Sequence, residues 1–373
     1  MKIGIDGRAA KWYRGTGIGT YTYQLINCLN KIDKINDYLL FMPKDSKYKM
    51  HLNSNFNLTN ISEGNCSSFW DEVNIPNILR DKDIDLYHVP QNGVGLPVNK
   101  KCYSVITLHD VIPFRMPETV SKRYMKIFSE SLPEIIKVSD GIITVSNYSK
   151  RDIIKTFNYP QDKIHVTYLA SESIYKPLNK EISKMIIKRK YSIDENYILY
   201  VGGFSPRKNI SGLIQAFSIF ANKDNPNLKL VIAGKRGESY KNYLELTYKL
   251  KISDKVIFPG FIPTMDLPFL YNAASVFVYP SFYEGFGLPP IEAMACGIPI
   301  ISSNITSMPE IIGTSGLLIN PYNIEELSSA ITNVLSDNVL AEKLSASGIK
   351  RSTEFSWEKT AAESLSFYNK IIS

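Results

Sequence analysis

The run VFVYPSFYEGFGLPPIEAMACGIPIIS, from Val276 to Ser302, holds a strand, a loop, a helix and a second strand in 27 residues. Val276–Tyr279 is apolar throughout and stops at Pro280, as a strand buried on both faces of a sheet does. Gly285 and Gly287 open the backbone of a loop. Pro289 and Pro290 suit the first turn of a helix that runs over about Pro290–Ala295, and Pro299–Ser302 reads as the next strand. A strand–helix–strand unit of this kind belongs to a mainly parallel α/β sheet.

The alternation extends in both directions. In the second half Tyr197–Val201, Lys229–Ala233, Val256–Phe258 and Leu317–Ile319 also read as strands. Helices are expected at about Ile210–Ala221, Tyr240–Leu250, Glu325–Leu335 and Val339–Glu354. The first half carries its own series. Its strands are Lys2–Asp6, Tyr38–Met42, Leu86–Val89, Ser104–Leu108, Gly141–Val145 and Ile164–Tyr168. Helices at about Thr20–Ile32, Phe69–Arg80, Ser121–Val138 and Ser149–Phe157 lie between them. Two successive series predict two Rossmann-like doubly wound domains facing across a cleft, with ligands at the carboxyl ends of the strands. The join is expected near Ser173–Asn179, where Pro177 interrupts the pattern. This gives an N-terminal domain over 1–175, a C-terminal domain over 176–355, and a last helix, roughly Trp357–Ile372, in segment 356–373.

The 373 residues suffice for two such domains, and a 44% apolar content supplies two cores. The net charge of +7 is a mild excess that suits an anionic ligand or an anionic membrane surface. It is too diffuse for nucleic acid, and no zinc-finger, RNP or helix-turn-helix signature occurs. The densest basic stretch sets Lys176, Lys180, Lys184, Lys188, Arg189 and Lys190 against Glu181. It reads as a solvated helix face, with peripheral membrane docking as the alternative. Cys28, Cys66, Cys102 and Cys296 form no C-x-x-C pair and no metal-ligand spacing with the histidines. With a strand at the very N-terminus and no apolar run of bilayer length, the expectation is a cytoplasmic protein, or one in peripheral contact with the inner face of the membrane. Oligomeric state is not legible.

Four constellations carry chemistry. Arg14 to Tyr21, with Gly15, Gly17 and Gly19, lies between the first strand and first helix, where backbone N–H groups can approach an anion. The spacing is not that of a dinucleotide fingerprint, and a plain turn explains it as well. His109-Asp110 ends an apolar strand and is expected to face the cleft, against a core histidine or a helix cap by Asp110. His88 ends another strand without a polar partner nearby and reads as structural. The third run, Gly202-Gly203-Phe204-Ser205-Pro206-Arg207-Lys208-Asn209, sets a guanidinium fork and an ammonium at a helix start, which suits a diphosphate better than it suits a solvated charge pair. The fourth is the opening stretch, where seven residues separate Glu284 from Glu292. One acid can meet ligand hydroxyls at the loop while the other sits deeper in the first helical turn. Helix capping accounts for either glutamate alone but not for the whole run.

Taken together, these residues resemble the family-four ("group 1") retaining glycosyltransferases of the GT-B fold. The resemblance rests on E-G-F-G-L-P-x-x-E-A-M-A and on G-G-x-x-x-R-K-N, in the family's order, and covers essentially the whole chain. His109-Asp110-Val111-Ile112-Pro113 is similar to the H-D-x-x-P of a mannosyltransferase-rich subgroup. The resemblance implies that Arg207 and Lys208 neutralise a donor diphosphate and that Glu292 binds the nucleotide ribose. Glu284 would hold hydroxyls of the donor sugar, with backbone at Gly203, Phe286, Gly287 and Leu288 assisting. Gly15 and Gly17 would approach the phosphates, and His109 would lie beside the sugar. The base would lodge near Gly234–Arg236 and Phe261–Pro263, and the last helix would cross back to the first domain.

The implied activity is transfer of a hexose from a nucleotide diphosphate sugar, GDP-mannose or a UDP-sugar, to a glycan, lipid-linked or protein acceptor. No metal and no further cofactor are expected. Asp83-Ile84-Asp85 has the D-x-D form other transferases use for metal, but it opens a strand at the end away from the cleft. A catalytically weak binding or accessory protein of the same fold is the alternative. An NAD-dependent oxidoreductase fails on the glycine spacing and on the absence of a ribose-binding acid after the second strand.

Overall fold

Strand β1 (Lys2–Asp6) runs through the middle of the first sheet. Ile3 and Ile5 are fully buried, and a Cβ on Gly4 would meet Ile84, Phe41 and Tyr87 at 2.9–3.0 Å. The computed structural model describes residues 1–43, 51–60, 79, 83–221 and 228–373. These divide into Met1–Leu169 with Ser356–Ser373 as one unit and Ala170–Phe355 as the other. The connecting segment belongs to the second unit because Asn272 clamps it. Its side chain accepts the Leu178 N–H at 2.7 Å and donates to the Lys176 carbonyl at 3.0 Å.

The first unit is built on β1, β2 (Asp37–Met42), β3 (Phe56–Asn60), β4 (Leu86–Val89), β5 (Tyr103–Thr107), β6 (Gly141–Thr144) and β7 (Ile164–Val166). They are all parallel, in the order β3-β2-β1-β4-β5-β6-β7. The second unit has β8 (Tyr197–Val201), β9 (Lys229–Ala233), β10 (Val256–Gly260), β11 (Val276–Tyr279), β12 (Ile300–Ser303) and β13 (Leu317–Ile319). These too are parallel, in the order β10-β9-β8-β11-β12-β13. In each unit the strand order reverses once, at β1/β4 and at β8/β11. Loops leaving the carboxyl ends on either side of such a reversal diverge and leave a crevice.

The expected strands are all present, with ends shifted by a residue or two. β3 is additional. The expected helix over Phe69–Arg80 falls almost entirely outside the described residues. The one expected over Ser121–Val138 is two helices, Lys122–Glu130 and Leu132–Val138. They part at Ser131, with Pro133 in the first turn of the second, where a proline needs no donor. Short helices at Arg8–Trp12, Ile112–Arg115, Leu267–Ala273 and Met308–Ile312 are too brief to show a 3.6-residue period. The basic stretch forms the helix Lys180–Tyr191. Lys184, Lys188 and Lys190 pair there with Glu181, Asp194 and Asp266 at 3.4, 2.6 and 2.6 Å. Among the described residues no helix is long and apolar enough to cross a membrane.

The helix Trp357–Ile372 packs on the first unit through polar as well as apolar groups. Tyr368 and Thr107 bond the two ring nitrogens of His88 at 2.7 and 2.8 Å, and Thr107 also meets the Tyr21 hydroxyl at 2.9 Å. Thr360 donates to the Tyr168 carbonyl at 2.5 Å. His88 is fully buried, and its partners come from β5 and from a helix 280 residues on. Burial, assisted by the nearby His109, pulls the His88 pKa down to about 3. The ring is therefore neutral, donating through one nitrogen and accepting through the other. An unfolded histidine titrates near pH 6.5. Below that pH the unfolded chain takes up a proton the folded ring refuses. The stability tied to the neutral ring is thus complete above about pH 6.5 and is lost as pH falls toward 3. His88→Gln should flatten the pH dependence of the first unit's unfolding by about 1.4 kcal/mol per pH unit between about pH 5.5 and 4. Denaturant titrations at several pH values in that interval measure the difference in slope. Equal slopes in the two proteins would overturn the assignment.

Candidate functional site

The loop after β8 is shaped by backbone contact before any side chain acts. A Cβ on Gly234, at the end of β9, would lie 1.9 Å from the Gly202 carbonyl oxygen, so the two strand ends close on each other. At Gly203 a Cβ would meet nothing within 4 Å, and space is open beside the chain. Pro206–Lys208 makes a single 3-10 turn, and Asn209 takes a left-handed conformation, φ 55°. Its side chain accepts the Gly212 N–H at 3.2 Å and donates to the Pro321 carbonyl at 2.8 Å. The helix Ile210–Ala221 then begins.

This turn aims Arg207 and Lys208 across the β8/β11 reversal, at the loop after β11. The Lys208 ammonium is 2.5 Å from Oε1 of Glu284 and 2.5 Å from the Tyr279 hydroxyl. Arg207 lies 3.2 Å from Oε2 of Glu284 and donates to the Tyr283 carbonyl at 2.9 Å. The Arg207 carbonyl in turn accepts the Phe282 N–H at 2.8 Å. Lys208 and Glu284 are 8% and 6% exposed, so this pair is desolvated, with the half-buried Arg207 as a second cation beside the one carboxylate. Burial would raise the Glu284 pKa, but the charges of Lys208 and Arg207 outweigh it and bring it to about 2. Neither partnership was visible in the sequence, which kept the cations and the glutamate on separate tasks.

Three residues missed by sequence reasoning complete this arrangement. Tyr279, the last residue of β11, is buried with its ring stacked between Tyr200 and Phe277. A lone tyrosine closing an apolar strand was its only signal. Thr306 and Ser307 lie in the loop after β12. Thr306 Oγ1 accepts the Glu284 N–H at 3.3 Å, and Ser307 Oγ is 3.0 Å from the carbonyls of both Glu284 and Phe286. Thr306 has φ 58°, which a β-branched residue adopts only under constraint.

Gly287 has φ 104° and precedes the helix Leu288–Ala295, with Phe286 buried beside it. That helix starts earlier than its prolines suggested, so Glu292 sits in the second turn rather than the first. Glu292 does not cap the helix. Its Oε2 accepts from the Tyr271 hydroxyl at 3.0 Å. Burial pushes its pKa up to about 7, with Tyr271 opposing the rise and Glu172 adding to it.

In the first unit, Gly15 has φ 90° and a Cβ on Gly17 would meet nothing within 4 Å, so Gly17 leaves the start of helix Gly17–Ile32 open. Gly19 is different, since a Cβ there would lie 1.9 Å from the Tyr13 carbonyl oxygen and the loop crosses itself at that point. Thr16 caps the helix by accepting the Gly19 N–H at 3.3 Å. At the carboxyl end of β1, Asp6 and Arg8 form a buried pair that sequence reasoning missed. Arg8 Nε lies 2.9 Å from Oδ1, and Gln91 bonds Oδ2 at 2.6 Å. His109 follows β5. Its ring is buried, donates from Nε2 to the Pro90 carbonyl at 3.0 Å, and meets Tyr21 edge-on at 4.9 Å. Burial takes its pKa down to about 4, so it is neutral at physiological pH. Asp110 is not the helix cap, which is Val111; it accepts the Ile112 N–H at 3.0 Å in a turn just ahead of the helix Ile112–Arg115. Asp85 accepts the Lys2 N–H at 2.7 Å, at the amino ends of the strands.

Comparison with known proteins fits this geometry. Residues 183–351 match the family model for glycosyl transferases group 1, and residues 15–170 match that for glycosyltransferase family 4. Over 290 residues the chain is 36% identical to the O-antigen chain mannosyltransferase B of Escherichia coli, an alignment taking in 78% of this chain and 75% of that protein. Among solved structures, sucrose-phosphate synthase from Thermosynechococcus elongatus superposes with a TM-score of 0.78 at 21% identity, covering 99% of this chain and 98% of that one. Anabaena HepE, crystallised with UDP and glucose, gives 0.74 at 17% identity, covering 99% of this chain and all of that one. Those two likenesses carry the fold, two Rossmann-like domains of the GT-B kind. The matched regions and the 36% identity carry the family: the chain belongs to the family-four, or group 1, glycosyltransferases.

Proposed function

We propose that the protein is a retaining, metal-independent hexosyltransferase. In this reading it moves a hexose, mannose in the first instance, from a nucleotide diphosphate sugar, GDP-mannose or a UDP-sugar, to a glycan, lipid-linked or protein acceptor. The observation that carries the reading is the cluster of Arg207, Lys208 and Glu284 at the β8/β11 reversal, two fixed cations beside one ionised carboxylate. A donor diphosphate entering the open space at Gly203 meets these cations already oriented. Preorganised charge of this kind stabilises a leaving group without reorganisation at the moment of bond cleavage. The relatives' O-antigen mannosyl transfer supports the choice of sugar, and the UDP and glucose held by HepE support a nucleotide-sugar donor.

The step is the exchange of one bond at the anomeric carbon. The bond to the diphosphate oxygen breaks, its electrons leave with the nucleoside diphosphate, and the acceptor oxygen bonds the same face of the sugar. The acceptor's proton passes to a donor phosphate oxygen, so no protein nucleophile is needed. Glu284 holds sugar hydroxyls, Glu292 the ribose, and the backbone leading into the helix at Phe286, Gly287 and Leu288 faces the phosphates. Gly17 leaves room for phosphate at the first unit's helix start, with Gly15 turning the chain ahead of it. His109, being neutral, serves as a hydrogen-bonding group beside the sugar and not as a standing cation.

Three outcomes test this reading. Donor turnover should persist in excess chelator; complete loss, restored by magnesium or manganese, would refute metal independence. Arg207→Ala should lower kcat by two to three decades, the usual cost of removing one preorganised donor to a developing oxyanion, and should slow transfer far more than it destabilises the fold. Wild-type rates in that variant would show that the diphosphate lies elsewhere. The glutamates should separate on calorimetric titration with nucleoside diphosphate. Glu292→Ala should weaken binding at least tenfold, as expected for a charged hydrogen bond of about 1.5–3 kcal/mol. Glu284→Gln should not weaken it, because Lys208 is then released to the phosphates, and should depress transfer instead. The reverse pattern would exchange the two roles.

A further inference from the structure

Resting on the assignment of Glu292 to the ribose, a second layer is legible behind that carboxylate. Tyr271 is fully buried in the helix Leu267–Ala273 and donates to Oε2 of Glu292 at 3.0 Å. Tyr175, in the connecting segment, lies beside the same carboxyl and helps hold its proton off, and the two tyrosine rings meet edge to face at 5.9 Å. The residue after Tyr271 is Asn272, whose side chain clamps the connecting segment on both sides of Pro177. One helical turn therefore fixes both hydroxyl donors. The other groups facing Glu292 are Glu172, from the same segment, and the thiol of Cys296, one turn along its own helix.

We propose that Tyr271 and Tyr175 are positioning residues for the donor: their hydroxyls hold the Glu292 carboxylate in one orientation for the hydroxyl pair of the ribose. A buried carboxylate beside a second acid has little else to keep it ionised. Burial and Glu172 push the proton on, and the two tyrosines oppose them, leaving the group to titrate at about 7. The tyrosines are themselves pushed far above their ordinary range by burial and by Glu292, so they remain donors throughout.

The test is calorimetric titration with GDP and with UDP at pH 6, 7, 8 and 9. Wild type, Tyr271→Phe, Tyr175→Phe and Glu292→Gln are compared, with Glu292→Gln giving the part due to the nucleotide's own phosphate. Wild-type affinity should rise through about pH 7 relative to that baseline. In Tyr271→Phe the rise should move up by about one pH unit, so that affinity is about fivefold lower at pH 7 and within about threefold of wild type at pH 9. Tyr175→Phe should show the same shift to a smaller extent, and it carries the test if Tyr271→Phe does not fold. Affinity lowered equally at every pH would mean that the tyrosines only support the local packing, and would overturn the proposal. So would an unchanged profile in both tyrosine variants while Glu292→Gln is weakened. If Glu292→Gln binds both nucleotides as wild type does, the ribose assignment itself fails and the proposal falls with it.

Discussion

Lys208 and Glu284 are an ion pair from which water is nearly excluded, and the arrangement around the β8/β11 reversal follows from it. Removing two charges from water costs several kcal/mol per ion, and mutual attraction repays this only when the remaining donors and acceptors are satisfied. Here they are. Tyr279 takes a second bond from the ammonium, Arg207 faces the second carboxylate oxygen, and Thr306 and Ser307 tie down the backbone that carries Glu284. The loops after β8, β11 and β12 are thereby locked into one geometry. A pair of this kind is weak evidence for stability and stronger evidence for a constraint maintained for chemistry.

The two units put the same topology to different uses. At its reversal the second unit holds a cluster with more cation than anion, beside a glycine that leaves space. At the corresponding point the first unit holds Asp6 and Arg8, a pair with one charge of each sign, closed over by Gln91. Its buried His88 and His109 are neutral and bonded within the fold. At the two reversals, then, the excess of cation over anion belongs to the second unit, while the first offers the open helix start at Gly17.

Much of this was legible because local rules and fold agree. Apolar runs of four or five residues bounded by glycine or proline gave the parallel strands, and the E-G-F-G-L-P-P run announced a loop, a helix start and two acids. What was not legible depends on distance along the chain. Lys208 meets Glu284 across 76 residues and His88 meets Tyr368 across 280, and no spacing rule reaches that far. β3 was missed because Phe56-Asn57-Leu58-Thr59-Asn60 is an edge strand, half polar, with asparagines where a buried strand would be apolar. Gly17 and Gly19 look alike in the sequence, and only the fold shows that one leaves space and the other is a crossing point. Pro289 and Pro290 identified a helix start but not its first residue, which moved Glu292 by half a turn.

The first unit is discontinuous, closed by Ser356–Ser373 only after the whole second unit has intervened. During synthesis from the N-terminus, residues 1–169 leave the ribosome with Tyr21, His88 and Thr107 still lacking the helix that covers them. The segment Ala170–Phe355 holds all six strands of its own sheet in one continuous stretch and can close as it emerges. The natural order of assembly is therefore the reverse of the order of translation. The second unit can close first, and the earlier-made unit waits for Ser356–Ser373, the segment that covers Tyr21, His88 and Thr107. A break anywhere in the second unit's stretch of chain would therefore strand residues 1–169 without their covering helix, so damage to one unit leaves the other incomplete.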